Sequence, residues 1–298
     1  MKRQQKWKPY LLISPYFLIY FVFSLFPILF SFVVSFHKWS GADDMEFVGL
    51  QNYTRLFTDG TFYLSLYNTF IIMLIVLPLQ FFTGLLLAVL LKDFTRRLRT
   101  PLQTINFLPY ITTPVAIGIL FQLLFDWQCG TINQILVQLG ILQEPYNWIG
   151  IPFGAKVVVI ILCYWKQFGY MMVMFLAGLS MISEDIYEAA KIDGANWFQS
   201  FFRITIPLLR PIITFVTTMS IIAGWKLFDE PQLLYQYASQ PVGGPDRSVL
   251  TVVMNFYDTS FKRYDFGYGS AMAYGLFIVI FIFSVIIMKI MNKGENEA

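Results

Sequence analysis

The sequence predicts an all-α integral membrane protein with six transmembrane helices, and two features of its composition indicate this fold class. Of its 298 residues, 57% are hydrophobic and only 13% are charged, whereas soluble domains carry about 25% charged residues. Six apolar runs are each long enough to cross a hydrocarbon core, which takes about 20 helical residues. The runs cover residues 11–36, 66–91, 103–125, 154–180, 208–228 and 270–290, and we expect them to form a single transmembrane domain in contact with membrane lipid.

The first apolar run follows the basic N-terminal stretch MKRQQKWK. It is about twice as long as the apolar core of a signal peptide, and no cleavage site of small residues is evident. We therefore expect the first run to be a retained transmembrane helix.

The distribution of basic residues predicts the orientation in the membrane. Lys and Arg close to span ends are retained in the cytoplasm. An inner N-terminus places thirteen of the 21 basic residues inside and five in the outer loops, while Lys156, Lys166 and Lys226 lie within or at the edges of spans. Both termini and residues 181–207 are therefore expected on the cytoplasmic side. The inner set comprises Lys2, Arg3, Lys6, Lys8, Lys92, Arg96, Arg97, Arg99, Lys191, Arg203, Arg210, Lys289 and Lys293.

Several other function classes find little support in the sequence. The net charge is only +3 and the basic residues form no stripe, which argues against nucleic-acid binding. Cys129 and Cys163 form no disulfide or metal framework. The single histidine, His37, has no partner residues at the spacing of a metal site or a catalytic triad.

The polar segment between the fourth and fifth runs predicts two short helices. Ser183 can cap the first helix, whose opening turn carries Glu184 and Asp185 at the positive end of the helix dipole. Gly194 is expected to end this helix, and Asn196 to cap a second one over Trp197–Ile206. Ala189 and Ala190 lack bulky side chains, so this segment is suited to close approach by another surface.

The spacing of residues in this segment resembles that of a known family. The segment reads Glu188-Ala189-Ala190, three residues, Gly194, nine residues, Ile204, one residue and Ile206-Pro207. This order resembles the EAA loop of membrane subunits in binding-protein-dependent ABC importers. Ile206 stands where leucine is commoner. The surrounding run LAGLSMISEDIYEAAKIDGANWFQSFFRITIPLLRP and the later Gly243-Gly244-Pro245 resemble the maltose-type, carbohydrate-importing branch of bacterial cytoplasmic membranes. The resemblance covers nearly the whole chain.

The resemblance implies that the loop docks as a coupling helix into a cleft on a cytoplasmic ATPase subunit. Glu188 is then expected to pair with a basic residue of the ATPase, and Gly194 to let the loop turn inside the cleft. The chain itself has no G-x-x-x-x-G-K-[ST] phosphate loop. It is therefore expected to be no enzyme and to hold no cofactor, with ATP and Mg²⁺ on the ATPase. The positions carried over are Glu188, Ala189, Ala190, Asp193, Gly194, Ile204 and Pro207.

Two lysines within predicted spans indicate where a substrate passes. Charged groups inside spans are costly and usually face a cavity or a partner, and Lys166 and Lys226 fall in the segments where maltose-type permeases hold their sugar. A carbohydrate needs aromatic faces and directional hydrogen-bonding groups. The predicted substrate site comprises Tyr164, Trp165, Lys166, Gln167, Ser220, Trp225 and Lys226.

Other interpretations of these lysines stay open. Lys226 can extend to the outer interface, and Lys166 can pair with an acidic residue of a neighbouring subunit. The lysines also suggest an anionic sugar such as a uronate. A neutral oligosaccharide is preferred, because no second basic residue adjoins Lys166 to form a clamp.

The outer loops are expected to meet an extracytoplasmic solute-binding protein, chiefly through residues 229–269. Thr131-x-x-Gln134 is a capping-box pattern that predicts a short helix ending at Gly140. This helix lies either over the substrate pathway or simply on the membrane surface. The acidic residues Asp43, Asp44 and Glu46 are interpreted as a solvated patch.

Three functions remain possible for such a chain. The preferred one is the permease subunit of an ATP-driven sugar importer that works by alternating access, paired with a second permease that the resemblance predicts to be related rather than identical. The second is a self-sufficient secondary transporter, although such proteins normally show internal repeats and ion-coordinating groups within spans. The third is a membrane enzyme or assembly factor, for which the sequence offers no catalytic set.

Overall fold

The computed structural model describes residues 8–235 and 242–292, which are mostly helical. The predicted basic residues Lys2, Arg3, Lys6 and Lys293 lie outside the described residues, as do residues 236–241 of the last predicted outer loop. The α-helices described are α1 Lys8–Tyr20, α2 Phe26–Val34, α3 Gln51–Thr58, α4 Gly60–Lys92, α5 Arg96–Ile111, α6 Pro114–Leu124, α7 Thr131–Gln138, α8 Pro152–Leu179, α9 Glu184–Ile192, α10 Trp197–Ser200, α11 Ile206–Trp225, α12 Asp229–Leu234, α13 Val252–Tyr257 and α14 Phe266–Asn292. Two short strands, β1 His37–Lys38 and β2 Glu46–Phe47, pair antiparallel with His37 opposite Phe47.

The long apolar helices confirm the predicted all-α membrane fold. Within the described ranges, five helices are long and apolar enough to cross a membrane, and a sixth span is formed if one bent pair is counted as a unit. The five are Tyr10–Val34, Gly60–Lys92, Pro152–Leu179, Trp197–Trp225 and Phe266–Ile290. That the whole chain acts as one permease domain stays a prediction.

The third apolar run, predicted over residues 103–125, is divided by a sharp bend. α5 and α6 meet at 95°. Thr112 and Thr113, which separate them, have extended ψ angles of 141° and 137°. Thr113 precedes Pro114, and the residue before a proline is disfavoured in the helical region. The bend therefore follows from the local sequence Thr-Thr-Pro.

Two π-helical turns stand just before prolines. Residues Phe21–Leu25 connect α1 to α2 and residues Phe201–Thr205 connect α10 to α11. Pro27 and Pro207 come two residues after these turns. A proline has no N–H to donate to the carbonyl four residues earlier, and its ring clashes with that carbonyl. Widening of the preceding turn relieves this clash and keeps the helix continuous.

The start of α7 differs from the predicted capping box. Gly130, not Thr131, is the N-cap residue, and it makes no side-chain cap. The side chain of Gln134 donates instead to the carbonyl of Cys129 at 3.1 Å. The predicted capping box is therefore wrong, although the helix exists. The preceding loop is held by the carboxylate of Asp126, which accepts from the backbone N–H of Cys129 at 2.9 Å.

The chain divides into two compact units. The first comprises Met1–Phe62 and Asn255–Phe277. In its described part, Arg55 forms an ion pair of 2.8 Å with Asp265. The same guanidinium lies 3.8 Å from the centre of the Tyr268 ring. These contacts link α3 to the start of α14.

The second unit comprises Tyr63–Met254 and Ile278–Ala298. α8 packs against α5 and α11, and its two halves belong to two different hydrophobic clusters. The first half packs with α6 and with residues around Leu227 and Leu234. The second half packs with the end of α4 and the start of α11.

At Gly169 of α8, the backbones of α8 and α5 approach each other closely. A Cβ atom at this position would collide with the backbone carbonyl of Asn106 in α5. Only glycine therefore permits the contact between α5 and α8 at this depth. The contact fixes the part of α8 that carries the predicted substrate residues.

Candidate functional site

The segment at residues 181–207 begins with a capped helix. The hydroxyl of Ser183 accepts a hydrogen bond from the backbone N–H of Asp185 at 3.3 Å, as predicted. α9 ends at Ile192, and Gly194, two residues later, has a φ of +80° in the left-handed region. Because side chains with a Cβ rarely adopt this conformation, glycine is required for the turn.

The predicted second helix of this segment is present and continues without a break into α11. Asn196 caps it as predicted, and its side chain forms a capping box with Gln199. Over the predicted range Trp197–Ile206 it consists of the four-residue α10, a π-helical turn and the first residue of α11. The turn leads directly into α11.

The two helices expose charged and apolar side chains together. Ile192 is 87% exposed and Phe198 is 67% exposed. Contiguous exposed apolar side chains are typical of a surface that another protein covers. We call the exposed side chains of residues 184–200, which comprise α9, α10 and the turn between them, the α9–α10 surface. Of the predicted coupling residues, Glu188, Ala189, Asp193, Gly194 and Pro207 are exposed, Ile204 is half-buried and Ala190 is buried.

Tyr187 attaches the α9–α10 surface to neighbouring helices. Its hydroxyl lies 3.0 Å from Oγ1 of Thr205, in the π-helical turn before α11. The ammonium group of Lys92, at the end of α4, lies 3.7 Å from the centre of the Tyr187 ring. Tyr187 therefore contacts both the end of α4 and the turn that precedes α11.

A polar cavity of about 190 Å³ lies within the second unit. It brings together three of the predicted substrate residues. Gln80 of α4 also lines it; this side chain is 1% exposed, and its Oε1 has no hydrogen-bond partner among the described residues. A buried acceptor without a partner is costly unless a ligand or water donates to it. The polar lining residues are Gln80, Gln167, Ser220, Lys226, Asp229 and Glu230.

Lys166 is engaged in an ion pair beside this cavity. Its ammonium group lies 2.7 Å from Oε1 of Glu230, and the two side chains are 13% and 9% exposed. The acidic partner belongs to this chain rather than to a neighbouring subunit. Because burial strengthens the interaction and makes an unpaired charge costly, the pair acts as one neutral group.

Two predicted aromatic residues lie away from the polar cavity. Tyr164 stacks on Phe168 with ring centres 5.5 Å apart. Trp165 packs on Phe121 at 5.8 Å, against the first hydrophobic cluster. Neither residue lines the polar cavity, and their assignment to a substrate site stays a prediction.

Trp225 lines a second, apolar cavity of about 500 Å³. Its ring centre lies 5.2 Å from that of Phe283 and 6.5 Å from that of Phe70. Its Nε1 has no hydrogen-bond partner in the described part of the chain. Ser220 lines both cavities, so it marks the place where they meet on α11.

The described ranges contain no group of three or more His, Cys, Asp or Glu side chains that could hold a metal ion.

Comparison with known proteins identifies the family of the chain. The sequence profile described as "Binding-protein-dependent transport system inner membrane component" matches residues 80–294. The chain belongs to this family. The match includes the α9–α10 surface and all the polar residues of the cavity.

Curated relatives align with this inner membrane component over almost its whole length. The arabinooligosaccharides transport system permease protein AraP of Bacillus subtilis (strain 168) is 35% identical, covering 98% of this chain and 91% of the relative. The lactose transport system permease protein LacF of Rhizobium radiobacter is 35% identical, with 95% and 94% covered. The trehalose/maltose transport system permease protein MalF of Thermococcus litoralis is 30% identical, with 94% and 92% covered.

A solved structure shares the fold of this inner membrane component. It is a chain of a bacterial ABC transporter involved in the import of the acidic polysaccharide alginate, and it superposes with a TM-score of 0.83 at 20% sequence identity. The superposition covers 97% of this chain and 96% of the other. At this identity the likeness concerns the fold alone.

Sequence reasoning missed three polar cavity residues of this inner membrane component, namely Gln80, Asp229 and Glu230. Gln80 lies in the otherwise apolar stretch FIIMLIVLPLQFF of α4. A lone amide in the middle of a span is a signal that could have marked it. Glu230 gave no such signal, because it follows the fifth run in a stretch that reads as an ordinary polar loop. Only the folded chain places it against Lys166.

Proposed function

We propose that this inner membrane component is the transmembrane subunit of an ATP-driven importer that moves a sugar or oligosaccharide across the bacterial cytoplasmic membrane by alternating access. The observation that carries the proposal is the set of curated relatives, each named for sugar transport and each aligned over at least 94% of this chain. ATP hydrolysis, with its Mg²⁺, resides in a partner ATPase.

The α9–α10 surface is the proposed docking site for the ATPase. Its exposed apolar residues favour a protein partner, and Glu188 offers a carboxylate to a basic residue of that partner. Tyr187 supplies the contact through which movement of α9 reaches the membrane helices. The remaining proposed coupling residues are Ala189, Ala190, Asp193, Gly194, Ile204 and Pro207.

The polar cavity is the proposed sugar site. Gln80, Gln167 and Ser220 provide amide and hydroxyl groups, which suit the hydroxyls of a sugar. Trp225 lines only the second, apolar cavity, so in this proposal its aromatic ring borders the sugar site next to Ser220 rather than lying within it. Lys226 completes the polar rim.

The proposed assembly contains three further kinds of protein. A second, related permease faces this chain, cytoplasmic ATPase subunits bind the α9–α10 surface, and an extracytoplasmic solute-binding protein meets the outer loops. Both termini of the chain are cytoplasmic in this proposal.

Transport by the assembled complex tests the proposal. In liposomes, the complex with its ATPase, partner permease and binding protein is expected to accumulate labelled sugars from a panel containing maltose, lactose and arabinooligosaccharides only when ATP is supplied inside. The chain alone is expected to show no uptake. Uptake by the chain alone would instead establish a secondary transporter.

The same assay tests the coupling surface. Glu188→Lys reverses a charge on the exposed face of α9 and is expected to abolish ATP-dependent uptake or ATPase binding while the chain still inserts. Glu144→Lys makes the same change at an exposed position in a predicted outer loop, and we expect it to leave ATPase binding unchanged. Full uptake by Glu188→Lys would show that this residue carries no coupling.

A further inference from the structure

The ion pair between Lys166 and Glu230 sets the charge of the polar cavity. Lys166 is bonded to a carboxylate 2.7 Å away, so its positive charge is not available to a ligand. From this we infer that Glu230 is a specificity-determining residue that selects uncharged sugars over sugar acids. The inference rests on the proposed function, because it assumes that the polar cavity receives a sugar.

The charges around the cavity balance. The charged residues that line it are Lys226, Asp229 and Glu230, and Lys166 joins them through its ion pair. These are two cations and two anions. A sugar carboxylate would therefore meet no net positive charge to offset the loss of its hydration, and burying such a charge unpaired is costly.

The hydrogen-bonding groups of the cavity also favour uncharged sugars over sugar acids. Oε1 of Gln80 is an unpartnered acceptor among the described residues, because the amide nitrogen of this side chain donates to the carbonyl of Cys163 at 2.9 Å. The carboxylate of Glu230 is also an acceptor. Sugar hydroxyls can donate to these groups, whereas an ionised carboxylate only accepts. A uronate keeps its ring hydroxyls, but its carboxylate cannot donate to either acceptor, and beside Glu230 it meets a like charge.

Glu230 is held in place by two elements. It lies in the first turn of α12, and its side chain reaches Lys166 on α8. The ion pair engages Oε1 and leaves the second oxygen, Oε2, outside that contact. Lys166 is accordingly a positioning residue for Glu230. This role differs from the direct substrate contact predicted for Lys166 from the sequence.

Equilibrium binding to the complex tests this inference. The probes are maltose, lactose and galactobiose, each measured beside its C6-oxidised uronic acid counterpart. The complex of this chain with its ATPase and partner permease is placed in nanodiscs without the solute-binding protein, so that the selectivity of that protein does not enter. Whichever neutral sugar binds the wild type is expected to bind at least about tenfold tighter than its acid counterpart.

Substitution of Glu230 is expected to abolish this preference. Glu230→Gln keeps the shape of the side chain but leaves Lys166 unpaired, so the ratio of neutral to acidic sugar affinity is expected to fall at least about tenfold. The double variant Lys166→Met with Glu230→Gln removes both charges and is expected to restore the preference for the neutral sugar. Glu144→Gln, which removes the same charge from an exposed position, is expected to leave the ratio unchanged.

The possible outcomes distinguish a failure of the inference from a failure of the proposed function. Equal or tighter binding of the acid counterpart by the wild type overturns the inference even if Glu230→Gln fails to assemble. An unchanged ratio in an assembled Glu230→Gln complex also overturns it. If no sugar, neutral or acidic, binds the wild type or is taken up with its binding protein, the proposed function itself fails.

Discussion

At the residue scale, Tyr187 is the contact that joins the α9–α10 surface to the membrane helices. Its hydroxyl lies 3.0 Å from Thr205, and its ring lies under the ammonium group of Lys92. A hydrogen bond of this kind contributes about 1 kcal/mol, and a cation–π contact roughly 0.5–1 kcal/mol. The proposed coupling through Tyr187 therefore depends on two weak contacts, one with the end of α4 and one with the turn before α11.

Graded substitutions of Tyr187 separate these contacts. Tyr187→Phe removes only the hydroxyl and is expected to lower the number of sugars transported per ATP hydrolysed slightly. Tyr187→Leu removes both contacts and is expected to lower this ratio severalfold while ATP hydrolysis continues. Both quantities are measured in liposomes, together with the melting temperature of the complex. A lower melting temperature with an unchanged ratio would mean that Tyr187 only supports the fold.

At the element scale, the contact between α5 and α8 depends on the absence of a side chain. Gly169→Ala places a methyl group against the backbone of Asn106, which cannot retreat without shifting α5. Overpacking of this kind costs roughly 1–3 kcal/mol. We expect a lower melting temperature and weaker sugar binding, because α8 carries Lys166 and Gln167.

A second glycine supplies the control for this prediction. Gly60, the first residue of α4, has open space around the position of an added Cβ. Gly60→Ala is therefore expected to leave the melting temperature nearly unchanged. Equal effects of the two substitutions would indicate that the close approach at Gly169 has no special role.

At the scale of the whole molecule, the orientation predicted from Lys and Arg can be measured with the native cysteines. Cys129 is exposed and Cys163 is buried, so a membrane-impermeant maleimide is expected to label only Cys129. Labelling should occur from the outer face of intact cells. A cysteine introduced by Asp185→Cys on α9 should react only after lysis. The opposite pattern would invert the proposed topology.

The pH dependence of this labelling follows from the neighbour of Cys129. The carboxylate of Asp126 accepts a hydrogen bond from the thiol at 3.2 Å, and this bond, together with the negative charge, raises the pKa of Cys129. The thiolate is the reactive form, so a raised pKa lowers the labelling rate at neutral pH and makes it rise as the pH increases. Asp126→Asn should lower the pKa and speed labelling at pH 7.

The sequence by itself determined the membrane fold, the approximate spans and the caps of the α9–α10 segment. These features depend on local properties: the length of apolar runs, and side chains such as Ser183 and Asn196 that bond to backbone groups a few residues away. The same local reasoning failed at Thr131, because the helix begins one residue earlier than the capping box requires and the side chain of Gln134 bonds to the carbonyl of Cys129 instead.

Only the tertiary structure decided which polar residues share a cavity. Along the chain, at least 64 residues separate each of these three from the next: Gln80, Lys166 and Glu230. Their meeting depends on the packing of α4, α8 and α12, which no local pattern encodes. The charge of Lys166 was readable from the sequence, but its neutralisation by Glu230 was not, because an ion pair depends on the distance between two atoms in the folded chain.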